Sequence, residues 1–173
     1  MKLVMKNHNI YLTGEASMRR QAVLSVAKSD NDEIGIYGWV DHNDKKIGTD
    51  IYVNNEFQWC KHKSRLTSHD LQDGFSYGQP KYLCEILDMR ILVILCKEIL
   101  FPEDFWEHEN VDLVVHQIGY EMHSKDQRKA WFALQKSLIL HFDCPVACCV
   151  NNDGDKYPLT GWYNKEILGR EFE

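Results

Sequence analysis

Apolar positions concentrate in three short runs in the second half of the chain, whereas in the first half they are broken up by glycines and polar residues. Residues 91–95 (Ile-Leu-Val-Ile-Leu), 111–116 and 146–150 have strand length and no polar alternation, the signature of strands buried on both faces. Ser124 with Gln127 makes a capping-box pattern. Trp131, Leu134, Leu138 and Phe142 then follow at helical spacing until Pro145, which predicts a helix between the second and third buried strands. Residues 101–106 predict a short helix with Pro102 near its start. In the first half, residues 10–13 read as a short strand. Ser17 reads as the cap of a helix carrying Met18, Ala22, Val23 and Val26 on one face. Residues 34–40, 49–53 and 56–60 read as strands joined by hairpin turns at 41–46 and 54–55. Residues 66–82, with Gly74, Gly78 and Pro80 and little periodicity, predict a long loop crossing one edge of the domain, a setting that often holds function. A turn at 151–154 leads to a last strand at 157–163, and the charged residues 164–173 offer little to a core.

Strands alternating with helices in one half and hairpins in the other predict a layered α/β sandwich rather than a Rossmann unit, and no glycine-rich phosphate loop is present. With 173 residues, 44% apolar and 27% charged, the chain is expected to form one domain over residues 1–173. The net charge is -6 and the basic residues are scattered, which argues against nucleic acid or an anionic membrane as partner and for a small molecule. The basic opening is interrupted by Asn7, His8 and Asn9 before a signal-peptide core develops, and the apolar run at 91–95 falls far short of the roughly 20 residues of a membrane span. A soluble, cytoplasmic protein is expected. Cys84, Cys96, Cys148 and Cys149 lie in or beside apolar runs, where cysteine packs as a small hydrophobe, so reduced thiols are expected. Cys144 and Cys148 have no second pair at ligand spacing, and neither metal nor cofactor is expected.

Cys96 stands at the carboxyl end of the most apolar strand and is followed by a turn. Open α/β sheets bind ligands at such strand ends, and helix amides can favour a thiolate there; the competing reading is a buried cysteine that merely ends a strand. His108, His116, His123 and His141 show no ligand or triad spacing, and no role is expected of them. Arg128 and Trp131 share a helical face, with Trp131 expected in the core.

The segment Ile91-Leu-Val-Ile-Leu-Cys96-Lys-Glu98-Ile-Leu-Phe101-Pro102-Glu103 resembles the nucleophile segment of the carbon-nitrogen hydrolase (nitrilase) superfamily. The resemblance continues through Val111-Asp-Leu-Val-Val115, Arg128, Trp131 and Leu134, then Cys148-Cys-Val-Asn151-Asn-Asp-Gly154 and Leu159-Thr-Gly161, in the family's order. Upstream, Tyr52 to Leu66 resembles the hairpin that delivers the family's catalytic lysine. Lys63 fits by its distance from Leu66, and Lys61, where the family has an aromatic residue, is its competitor. Residues 10–15 are similar to the strand ending in the family's glutamate, with Gly14 in place of proline before Glu15. Glu15 also reads as a helix first-turn acid near Ser17, and Lys63 as a solvated hairpin lysine.

The resemblance implies a nitrilase-like four-layer α-β-β-α sandwich, truncated at both ends, whose exposed sheet edges call for a partner, so a homo-oligomer is expected. It implies cleavage of an amide or nitrile carbon-nitrogen bond, with Cys96 as nucleophile, Glu15 as general base and Lys63 as oxyanion stabiliser. Glu98 and Glu103 would shape the turn at Cys96 and hold neighbouring backbone. The rival from another class is a catalytically inactive nitrilase-like binding or assembly module, favoured by the replaced proline and the displaced aromatic. A redox-sensing thiol protein would require a resolving cysteine near Cys96.

Overall fold

The computed structural model describes residues 1–29, 33–151, 154 and 156–166. Its strands are β1 (Lys2–Met5), β2 (His8–Leu12), β3 (Met18–Arg19), β4 (Ile34–Asp41), β5 (Lys46–Val53), β6 (Glu56–His62), β7 (Leu83–Ile86), β8 (Met89–Leu95), β9 (Leu113–Ile118), β10 (Val146–Val150) and β11 (Gly161–Tyr163). The α-helices are α1 (Arg20–Ser29), α2 (Ser68–Gln72) and α3 (Lys125–Phe142), and 3-10 turns span Cys96–Leu100 and Pro102–Asp104.

Two sheets form. The first has strand order β1-β2-β4-β5-β6, with β3 added to β4, and the second has order β11-β10-β9-β8-β7. In the second sheet β8, β9 and β10 pair in parallel, and antiparallel β7 and β11 close its two edges. Parallel neighbours need a crossover, and α3 supplies the one between β9 and β10. In the first sheet, β2 and β4 are likewise parallel across α1, and β4-β5-β6 is a meander.

The pleat explains why β8, β9 and β10 carry no polar alternation. Ile91, Val93, Leu95, Leu113, Val115, Ala147 and Cys149 face the other sheet and meet Ile10, Leu12, Ile34, Ile36 and Ile51. Their alternates Leu92, Ile94, Val114, Ile118, Val146, Cys148 and Val150 face α3, where Trp131, Phe132, Leu138 and Ile139 cover them. On the far side of the first sheet, Val23 and Ala27 of α1 pack on Tyr37, Trp39 and Tyr52. The layers are therefore α1, sheet, sheet, α3: the expected four-layer α-β-β-α sandwich. Each fully buried Ile, Leu or Val in these layers is worth about 1.5–3 kcal/mol relative to exposure, so the double-sided strands are the most tightly held part of the molecule.

Turn chemistry fixes the hairpins. Lys6-Asn7 and Asn54-Asn55 each place two successive residues at positive φ (46° and 68°; 48° and 69°), which two-residue hairpin loops require and asparagine tolerates. Ser124 caps α3 by accepting from the Gln127 backbone N–H, as its spacing predicts, and the helix ends at Asp143 in the left-handed conformation two residues before Pro145.

Some expectations need correcting. Ser17 does not cap α1, which begins at Arg20 after the short strand β3; its hydroxyl donates instead to the Gly38 carbonyl at 2.9 Å. The last strand is confined to Gly161–Tyr163. β1 and β7 are additional to the expected strands: each is four residues long and forms the first arm of a tight hairpin, with β2 and β8 respectively. The loop at 66–82 contains the one-turn helix α2. The turn at 151–154 and the charged tail lie partly outside the described residues.

Candidate active site

Cys96 follows β8 directly and is the first residue of a 3-10 turn, with φ at +47°, a conformation that costs a non-glycine residue about 1–3 kcal/mol and is tolerated where surroundings enforce it. Glu98 is the main enforcer. Its carboxylate, 0% exposed, accepts from the Leu95 backbone N–H (2.8 Å), the Ser64 backbone N–H (2.7 Å) and the Ser64 hydroxyl (2.8 Å). Lys61 Nζ lies 3.0 Å from its second oxygen as a close ion pair outside hydrogen-bond geometry, and also sits over the Tyr82 ring. A buried carboxylate with this many donors ties the turn after β8 to the end of β6.

Lys63 is carried by the backbone just past β6. Its N–H donates to the Ile47 carbonyl at 2.8 Å and its own carbonyl accepts from Gly78 N–H at 2.7 Å, so the main chain is held from both sides. Nζ donates to Glu15 Oε1 at 2.7 Å and to Asp70 Oδ2 at 2.9 Å. Burial lowers the affinity of this ammonium for its proton, but the charges of Glu15, Cys96 and Asp70 outweigh it and hold the pKa above the ordinary lysine value. Lys63 is thus a permanent buried cation.

Glu15 lies beyond β2, where Gly14 allows a close crossing. A Cβ on Gly14 would stand 2.3 Å from the Asn151 nitrogen, so only glycine lets the chain pass between the two sheets here. Thr13 pins the same segment: its hydroxyl accepts from Gly38 N–H at 2.8 Å, and its carbonyl accepts from Gln117 Nε2 of β9 at 2.7 Å. The Glu15 carboxyl is 3% exposed and precedes β3 and α1, so it is not a helix first-turn acid. Oε1 accepts the Lys63 hydrogen bond, and Oε2 is buried with no hydrogen bond among the described residues. Burial, opposed by Lys63, pushes its pKa up to about 7.

Glu15, Lys63 and Cys96 line one pocket of about 460 Å³ together with Ala16, Ile47, Thr67, His69, Asp70, Gly119 and Tyr120. The backbone at Gly119 and Lys97 acts on the Cys96 sulfur to favour its thiolate, and the Tyr120 side chain stands beside it in the pocket. Burial and then the Glu15 charge push the Cys96 thiol up to about 12, against the pull of Lys63 and those backbone groups, so at neutral pH the sulfur carries its proton and needs a base. A larger depression of about 850 Å³ beside α1, lined by Arg19, Gln21, Ala22, Val40, His42 and Asn43, offers no thiol and no carboxylate. Among the described residues no group of three or more His, Cys, Asp or Glu side chains is arranged to hold a metal ion, and the six cysteines are free thiols.

The structure brings together Glu15, Lys63 and Cys96, with Glu98 directly beneath. Lys61 is turned to Glu98 and does not line the pocket. Glu103 is exposed on the second 3-10 turn; its neighbour Asp104 makes a bidentate pair with Arg65 (2.7 Å and 2.7 Å) and accepts from the Tyr82 hydroxyl at 3.1 Å. Asp70, Tyr120, Ser64 and His116 escape sequence reasoning. Asp70 had a signal, since Thr67-Ser-His-Asp70 is a capping-box pattern inside the presumed loop. Both reciprocal bonds form, from Asp70 N–H to the Thr67 hydroxyl and from Thr67 N–H to Asp70 Oδ2.

No family model matches the chain and no curated protein matches its sequence. Solved structures do match. A variant of the amidase from Nesterenkonia sp. AN1, with acrylamide added at its active-site cysteine, superposes with a TM-score of 0.63 at 12% identity over 82% of this chain and 64% of that one. A second variant of that amidase, described as from the nitrilase superfamily, gives 0.62 at 12% identity over 82% of this chain and 62% of that one. The glutamine-dependent NAD+ synthetase from Acinetobacter baumannii gives 0.65 at 13% identity over 82% and 32%. The chain therefore has the carbon-nitrogen hydrolase fold of the nitrilase superfamily, and spans less than two thirds of the length of these amidase chains.

Proposed function

We propose that the protein is a carbon-nitrogen hydrolase that cleaves an amide or nitrile through a thioester at Cys96. The observation that carries this reading is the convergence of a thiol, a permanent buried cation and a carboxylate with one unbonded buried oxygen on a single pocket. The fold shared with an amidase of the nitrilase superfamily supports it.

Glu15, with a pKa near 7, is half ionised at neutral pH and takes the Cys96 proton as sulfur attacks the substrate carbon. The electron pair of the carbonyl moves to oxygen, where Lys63 and the backbone N–H groups at Gly119 and Lys97 oppose the growing negative charge. Glu15 returns the proton to the leaving nitrogen, the carbon-nitrogen bond breaks and a thioester remains. Water then gives a proton to Glu15, attacks the thioester, and the thiol recovers its proton as the acid leaves. Asp70 shares Lys63 with Glu15 and so keeps the cation in place while the Glu15 charge comes and goes.

A convergent pocket favours chemistry over an inactive binding module, whose hallmark would be Glu15 directed to solvent. The proposal extends to a reducing, cytoplasmic setting, supported by six free thiols, and to a homo-oligomer joined at sheet edges. No helix among the described residues is long and apolar enough to cross a membrane. The test is to incubate the reduced protein with simple amides and nitriles and follow intact mass. An acyl adduct that Cys96→Ala abolishes is expected. Absence of adduct with every substrate, with Cys96 no more readily alkylated than the other thiols, would return the protein to the binding-module reading.

A further inference from the structure

His116 occupies the α3 side of β9, directly under the turn that carries Cys96, and is 0% exposed. Its Nε2 lies 3.1 Å from the Cys96 carbonyl oxygen, which can only accept, so Nε2 bears the hydrogen. Nδ1 is then an acceptor, and it meets the Nε2 amide of Gln135, a residue of α3 that is also 0% exposed. The tautomer is fixed from both ends. Trp131, one turn before Gln135 on α3, stacks on the imidazole with ring centroids 5.5 Å apart and planes 25° from parallel. Burial depresses the imidazole to about 4, so it is neutral wherever the protein works.

A hydrogen-bonded imidazole-amide pair is an unusual filling for a helix-sheet interface otherwise built from Leu, Ile, Val and Phe. Aliphatic residues fill the same interface without the cost of burying polar groups. Its position gives it a use. The carbonyl it grips belongs to the Cys96–Lys97 peptide, a rigid plane whose other end, the Lys97 N–H, acts on the Cys96 sulfur to favour its thiolate. That peptide follows the positive φ of Cys96, a conformation that Glu98 enforces through the Leu95 N–H and that His116 holds from the carbonyl side.

We propose that His116, oriented by Gln135, is a positioning residue: by holding the Cys96 carbonyl it fixes the Cys96–Lys97 peptide so that the Lys97 N–H faces the sulfur and the oxyanion that forms beside it. The donation from His116 also polarises the peptide, which strengthens its N–H as a donor. Gln135 acts through His116 and touches nothing in the pocket.

This inference rests on the proposed nucleophile but can be tested without substrate. The rate of Cys96 alkylation by iodoacetamide, followed by peptide mass spectrometry across pH 6 to 10, is compared in the parent, His116→Leu, His116→Gln and the double variant His116→Leu/Gln135→Leu. The double variant removes both partners together and keeps the interface apolar and folded, which circular dichroism and the melting midpoint verify. The expected result is a Cys96 alkylation rate at least tenfold lower in both Leu variants, an alkylation profile displaced to higher pH, unchanged alkylation of Cys60, and partial recovery in His116→Gln, whose amide can still donate. If amide turnover is found, kcat falls with KM nearly constant. A folded double variant whose Cys96 alkylates at the parental rate and pH overturns the positioning role. A parent protein that alkylates Cys96 as predicted yet forms no acyl adduct overturns the hydrolase reading alone.

Discussion

Lys63 Nζ and Glu15 Oε1 lie 2.7 Å apart with both side chains almost wholly removed from solvent, and Lys63 also holds Asp70 at 2.9 Å. One cation therefore serves two carboxylates. This asymmetry leaves Glu15 with a pKa near 7 while Asp70, bonded additionally by Thr67, is held below the usual aspartate value. The shared cation separates a carboxylate that titrates in the working range from one that stays charged throughout it.

The rate of acylation should accordingly rise with pH through about 7 as Glu15 loses its proton, and level off above it. Glu15→Gln should flatten that limb and lower kcat by roughly 10²–10⁴, the range for a lost general base. A pH–rate profile on any amide that gives an adduct checks both. An unchanged limb in Glu15→Gln would assign the titration to another group.

Among the described residues, Lys63→Met removes the one hydrogen-bond partner of the Glu15 carboxylate and the cationic partner of Asp70. Breaking a buried pair from one side costs about 3–5 kcal/mol, so a large drop in the urea midpoint is expected. Adding Glu15→Gln to Lys63→Met should recover part of it, because the most deeply buried uncompensated charge is then gone. Equal midpoints for the single and double variants would mean that the pair is not coupled.

Gly14→Ala puts a methyl 2.3 Å from the Asn151 nitrogen and 2.8 Å from the Val150 carbonyl carbon, both backbone atoms that cannot swing aside. Overpacking of this kind costs about 1–3 kcal/mol. Because Glu15 is the next residue, activity should fall further than stability. At Gly119 the nearest atom to a new methyl is Glu15 Oε1 at 3.5 Å, so Gly119→Ala should melt close to the parent.

Stability against pH should show two buried groups working in opposite senses. Glu15 is raised from 4.5 to about 7, so the folded state holds its proton more tightly. Its contribution is present below 4.5 and lost as pH rises through 7. His116 is lowered from 6.5 to about 4, so its contribution is present above 6.5 and lost as pH falls through 4. Each displacement corresponds to on the order of 3 kcal/mol. Between pH 4.5 and 6.5 the two nearly offset. Glu15→Gln should expose a steep acid loss, and His116→Leu should reverse it into a gain. Urea midpoints at pH 5, 6 and 7.5 for the three proteins read this directly, and the effect of His8, raised by its Asp88 and Glu33 partners, is common to all three.

The double-sided strands, α3 and the turns at 41–46 and 54–55 were legible in the sequence because each rests on a local rule: short apolar-rich runs, a cap with a matching stop, turn-forming residues between strands. Cys96, Lys63 and Glu15 were legible only through resemblance, since nothing local distinguishes Lys63 from Lys61. Burial does so in space, by giving Lys61 to Glu98 and Lys63 to the pocket. Asp104 was not legible, because a 3-10 turn rotates neighbours by about a third of a circle and it is Asp104, not Glu103, that faces Arg65. His116 was hidden for a different reason. Its partners are a backbone carbonyl and a glutamine on α3, neither of which leaves a spacing pattern.

Asp70 binds Lys63 with the same oxygen, Oδ2, that closes the α2 capping box. One turn of helix has almost no stability of its own. The order of this segment therefore reads out the state of the ammonium: drawing Lys63 toward a substrate oxygen loosens its hold on Asp70, and with it the knot at Thr67. On the proposed mechanism, amide exchange at Asp70 and Leu71, whose N–H groups bond Thr67, would become a spectator's record of each turnover, written on backbone that touches no bond being cut.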